Sequence, residues 1–96
     1  MSVGICRLSF HLPECRSLKA KRSTIKPVLA RLQKEFNISV IEADDHDLWQ
    51  SCQLLITCAA RDGTQAEIIL EKVIRFFESH WPDLPLTGEQ IEIMNG

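Results

Sequence analysis

Residues 49–81, WQSCQLLITCAARDGTQAEIILEKVIRFFESHW, contain the change of hydrophobic period that decides the fold. Over 49–60 the period is two: Cys52, Leu54, Ile56 and Cys58 share one face, while Gln53, Leu55 and Thr57 share the other. That alternation marks a half-buried strand. Asp62 and Gly63 turn the chain. Beyond them Ala66, Ile69, Leu70, Val73, Ile74, Phe77 and Trp81 recur at helical steps, which predicts a helix over 64–81. Thr64 and Glu67 make a T-x-x-E pair suited to capping its start, since each side chain can accept from an amide left open in the first turn. Pro82 and Pro85 stop it.

The same switch occurs earlier in the chain. Residues 3–12 alternate, with Gly4, Cys6, Leu8, Phe10 and Leu12 on one face and Val3, Ile5, Arg7, Ser9 and His11 on the other. Pro13 and Glu14 end this strand, and Ser17 stands where a helix cap is wanted. Leu18, Ile25, Val28, Leu29, Leu32 and Phe36 then predict a helix over 18–36, with Asn37 as its stop. Residues 38–43 form a short β-branched strand, and 86–94 a closing strand with Ile91 and Ile93 on one side. The order is βαββαβ. Two right-handed strand–helix–strand units folded together give an α+β, ferredoxin-like architecture: a four-stranded antiparallel sheet with both helices on one face. The predicted core includes Leu8, Phe10, Leu29, Leu32, Cys52, Leu54, Ile56, Ile69, Val73 and Phe77.

The chain has 96 residues, of which 45% are hydrophobic and 25% charged, the size and balance of a single small domain with one core. No apolar run approaches the roughly 20 residues that span a bilayer, so no membrane partner is expected. The start carries neither the basic region nor the cleavage site of a signal peptide, and a cytosolic location follows. Cys6, Cys15, Cys52 and Cys58 include no C-x-x-C pair; they are expected as free thiols, with Cys6, Cys52 and Cys58 facing inward. Asp44, Asp45, His46 and Asp47 lack the glycine and terminal glutamate of a calcium loop and read as a solvated turn. His11 and His80 stand alone, and no cofactor or metal is expected.

Charge is distributed less evenly than its total suggests. Arg16, Lys19, Lys21, Arg22, Lys26, Arg31 and Lys34 fall in one stretch without a carboxylate, although the net charge is −2. Helix starts favour acidic residues, because their open amides carry partial positive charge. Here Lys19, Lys21 and Arg22 occupy that place, an arrangement that makes sense if a phosphate docks there. A regular helix also puts Lys21 on the Leu18–Ile25–Leu32 stripe, so the first turns are expected to overhang the sheet or to be irregular, with Pro27 adding to the irregularity. Trp49 falls near the outward register of the third strand and is expected to pack over the sheet edge.

The motifs S17-L-K-A-K-R22, F36-N-I-S-V40 and D47-L-W49 together resemble the YlxP-like proteins, a small bacterial family of unassigned function. The resemblance spans nearly the whole chain and implies a ferredoxin-like fold and, through gene neighbourhood, an RNA or ribosome context. Ala20 departs from the acidic residue usual in the family, and Ser51 from the basic residue common after the tryptophan. Three functions compete on these grounds. The first is a non-catalytic module that binds RNA or a ribosomal particle, contacting phosphates through Arg16, Lys19, Lys21, Arg22 and Lys26. The second is a homo-oligomeric scaffold that uses the open sheet face. The third is an acylphosphatase-like phosphate hydrolase, for which the loop after the first strand offers an arginine but no glycine-rich cradle, and the outer middle strand no asparagine.

Overall fold

The strand β1 (Ser2–His11) runs through the middle of the sheet and is flanked on both sides along nearly its whole length. The computed structural model describes residues 1–43 and 49–96, so the acidic turn at Asp44–Asp47 lies outside the described residues. After β1 come α1 (Leu18–Glu35), β2 (Ser39–Glu42), β3 (Ser51–Ala60), α2 (Gly63–His80) and β4 (Leu86–Asn95). The sheet order is β2-β3-β1-β4, every pairing is antiparallel, and the fold is the ferredoxin-like α+β arrangement that the order of periods predicts. β1 pairs with β3 from Ser2↔Ala60 to His11↔Ser51 and with β4 from Ser2↔Asn95 to Phe10↔Leu86, with one register shift between Ser9 and Phe10.

Alternation then sorts the side chains. Cys6, Leu8 and Phe10 of β1 and Leu54 and Ile56 of β3 have no accessible surface, and they face Leu70, Val73 and Phe77 of α2 and Val28 and Leu32 of α1. α2 lies over β1, with β4 and β3 on either side, whereas α1 packs beside the edge strand β2. Close approach of α2 depends on Gly4. A Cβ there would stand 2.8 Å from Leu70 Cδ1 and 3.0 Å from Cys58 Sγ. At the far ends of the helices Phe36 meets Phe76 edge-on with centroids 5.3 Å apart, and the Arg31 guanidinium lies 5.5 Å from the Phe76 ring centre.

Four expectations need correction. The cap of α2 is Asp62, whose carboxylate accepts from the Gln65 amide at 2.8 Å, while Gln65 Oε1 accepts from the Arg61 amide at 2.8 Å. The cap therefore sits two residues before Thr64, with Gln65 reaching back past it to the Arg61 amide, because Asp62 is already a strong cap and Gly63 is compatible with the first helical position. α1 is not irregular: it is helical throughout, with Pro27 exposed on its solvent side. There the carbonyl that loses its amide partner stays open to water. Leu29 and Ile69 are partly buried at the margins of the core, and Trp49 is an exposed turn residue before β3.

All four cysteines are free and buried, Cys15 among them although its loop shows no periodicity. Burial, with a smaller push from the Glu89 carboxylate, raises the Cys6 thiol to about 11. Burial also raises Cys58, against a smaller opposing contribution from the Gly4 backbone amide.

Candidate anion-binding surface on the first helix

Ser17 caps α1 as expected, its hydroxyl accepting from the Ala20 amide at 3.1 Å. No acidic residue stands in the first turn. Helical geometry then divides the cations. Lys19, Arg22 and Lys26, at steps of three and four, share one solvent-facing flank, and Arg16 stands exposed just before the cap. Lys21 is four residues before Ile25 and lies on the other side, only 3% accessible beside Ile25, Val28 and Leu32. A long cationic side chain can lay its aliphatic stem along such a stripe and so be buried with it. Lys21 therefore keeps the place on the apolar stripe that its phase gives it, apart from the exposed cations with which the sequence reading grouped it as a phosphate contact.

The flank borders a hollow of about 220 Å³ lined by Arg22, Ile25, Lys26, Leu29 and Glu42, so two cations stand at the rim of an apolar floor between α1 and β2. Between described residues the ion pairs are Arg31–Glu35 at 3.0 Å and Arg75–Glu71 at 3.5 Å. None of Arg16, Lys19, Arg22 and Lys26 is paired with a described carboxylate. The positive end of the α1 dipole adds to their field. His11 and Trp49 lie at the same end of the molecule, because His11 is paired with Ser51 and the Leu12 amide donates to the Gln50 carbonyl at 2.8 Å.

A model of the family described as "Protein of unknown function (DUF503)" matches residues 3–90. The chain belongs to the DUF503 family. It is 31% identical over 90 residues to the uncharacterized protein YlxP of Bacillus subtilis (strain 168), an alignment that takes in 94% of this chain and 97% of that relative. The resemblance carried by the SLKAKR and FNISV motifs is thus to the right family.

The DUF503 match includes every cation of the α1 flank. For an acylphosphatase-like reaction this DUF503 chain offers little: the outward residues of β3 are Ser51, Gln53, Leu55, Thr57 and Ala59, without an asparagine, and Arg16 is the only cation in the loop before α1. Among the described residues no group of three or more His, Cys, Asp and Glu side chains is placed to hold a metal ion. No helix is long and apolar enough to cross a membrane. Sequence reasoning missed the hollow beside Arg22 and Lys26, since Glu42 reaches it from a different element. The signal available was the exposed phase of Lys26 relative to Ile25 and Leu29.

Proposed function

We propose that this protein is a non-catalytic, cytosolic module that binds RNA, free or within a ribosomal particle, through the outward flank of α1. Arg16, Lys19, Arg22 and Lys26 contact phosphates, and Lys21 holds the helix in place beneath them. The observation that carries this reading is the solvent-facing row Lys19, Arg22 and Lys26 at a helix start, unpaired with any described carboxylate. Lys19 in the first turn opposes the dipole at a cost of about 0.3–1 kcal/mol, an effect that fades by Arg22 and Lys26. A bound phosphate removes that cost and also accepts from open first-turn amides. The net charge of −2 favours a local contact over a general coating of nucleic acid. Buried free thiols fit a reducing compartment.

The test compares the parent with a Lys19→Gln, Arg22→Gln, Lys26→Gln variant, using Lys72→Gln on α2 as a charge control. Binding to ribosomal RNA fragments is followed by anisotropy over several salt concentrations, and binding to intact subunits by gradient sedimentation. The triple variant is expected to bind more weakly and to lose about two to three units of log–log salt slope, as three phosphate contacts require. If fragments and subunits bind the triple variant as tightly as the parent at every salt concentration, the flank is a solvated surface and the reading fails.

A further inference from the structure

We propose that the sheet face turned away from the helices is an interface with a second copy of this chain. Its side chains come from alternate positions of all four strands, and the register arranges them in rows. Met94, Val3 and Ala59 form one row. Glu92, Ile5, Thr57 and Ser39 form the next, and Gln90, Arg7, Leu55 and Ile41 the one after. Met94, Val3, Ile5, Leu55 and Ile41 therefore trace an apolar diagonal from β4 across the sheet to β2, linked by direct or diagonal cross-strand neighbours and, between Val3 and Ile5, by two steps along β1. Its ends are open: Met94 is 60% and Ile41 55% accessible. Val3 and Ala59 separate two hollows of about 420 Å³ each, one walled by Met1 and Met94 and the other by Asn37 and Thr57. Protruding apolar side chains and hollows thus lie on the same face, as an interface with a copy of itself needs.

Charge and size select the occupant. Arg7 and Glu92 are the only charged residues in these three rows, so the face is neutral and has no surplus cation for a polyanion. These three rows also present no aromatic ring on which a base could stack. Two copies packed with the symmetry axis along the diagonal lay apolar stripe on apolar stripe. That packing sets the Arg7 and Glu92 corner of each against Ser39 and Thr57 of the other, and no like charges meet. Three strands of ten residues and the four-residue β2 outline a face of roughly 550 Å² per copy, which side-chain relief brings towards the about 800 Å² per partner of a standard interface. The face is remote from the α1 flank, so this inference stands independently of the RNA reading.

The experiment measures association by sedimentation equilibrium from low to high micromolar concentrations, for the parent and for Ile41→Glu and Met94→Glu variants. Both substitutions are at open positions, and circular dichroism checks that the fold is kept. A reversible dimer is expected for the parent, with dissociation constants raised roughly tenfold or more in each variant. Because the four native cysteines are buried, Met94→Cys introduces a single accessible thiol. A short bis-maleimide should join two such chains across sheets about 10 Å apart. The same reagent should leave an Ile68→Cys variant, altered on the outer side of α2, unjoined. A parent that stays monomeric throughout, a dimer indifferent to both Glu variants, or joining through position 68 in preference to position 94 would overturn the proposal.

Discussion

α1 and α2 are both 18 residues long and lie on the same face of the same sheet, yet they are built for different work. α2 buries Ala66, Leu70, Val73, Ile74 and Phe77 and is capped by an acidic residue that suits the helix dipole. α1 buries Ile25, Val28 and Leu32 together with a lysine, has only a serine at its cap, and turns Lys19, Arg22 and Lys26 outward. One helix closes the core over β1. The other, at the edge strand, has a contact surface to offer. Two helices in one layer can thus divide holding from presenting, and the division follows from which strand each one covers.

The largest way to probe this division is to hollow each helix at its base. Phe77→Ala should cost about 3–5 kcal/mol, since the ring has no accessible surface and packs on Phe10 with centroids 4.8 Å apart. Val28→Ala on α1 removes less volume and should cost less, about 1–3 kcal/mol. Urea unfolding of both variants measures the ordering, and equal losses would erase the distinction.

Next comes the floor beneath α2. Cys6 and Cys58 are held protonated there, with thiols raised above the ordinary 9.0. A raised acid contributes stability that is complete below its unfolded pKa and is lost as pH climbs through its folded one. The contribution of Cys6 should therefore be constant below pH 9 and fall between about 9 and 11, by up to about 1.4 kcal/mol per pH unit, with Cys58 adding a fall in the same direction. Unfolding curves at stepped alkaline pH test this, and Cys6→Ala should flatten the slope. Labelling should find no reactive thiol in the native protein and four after unfolding.

Caps give a smaller contrast. Asp62→Ala should cost about 1–2 kcal/mol and Ser17→Ala about 0.5–1, because only the first also removes a charge that complements the dipole. Smallest of all is the stability effect of Lys19→Gln, Arg22→Gln, Lys26→Gln, expected within a few tenths of a kcal/mol and favourable if anything. A loss above about 1 kcal/mol would mean that these side chains pack as well as present.

Strand faces were readable from the sequence because a period of two leaves no ambiguity once one face is apolar, and Cys6, Leu8, Phe10, Leu54 and Ile56 all lie where it places them. Cap positions were less readable. Thr64-x-x-Glu67 and Asp62-x-x-Gln65 are both valid boxes, and only the observed hydrogen bonds choose between them. Lys21 shows a different limit. Its phase was correct on paper, but a reading that treats lysine as wholly polar had to bend the helix away, whereas the real side chain lies along the core. The cations themselves were plain in the sequence, while the hollow between Arg22, Lys26 and Glu42 depends on how β2 lies against α1, a tertiary fact that no local pattern encodes.

The central place of β1 also has a consequence in time. β1 leaves the ribosome before either of its neighbours and must wait for β3 and then for β4, since Ser2 is hydrogen-bonded to Asn95, 93 positions later. At about 5–20 residues per second, that interval is on the order of 5–20 s, during which an alternating apolar strand lacks first both neighbours and then one. The nascent protein is thus at its most adhesive before β3 emerges, and the arrival of β4 is the last step in covering the flanks of β1.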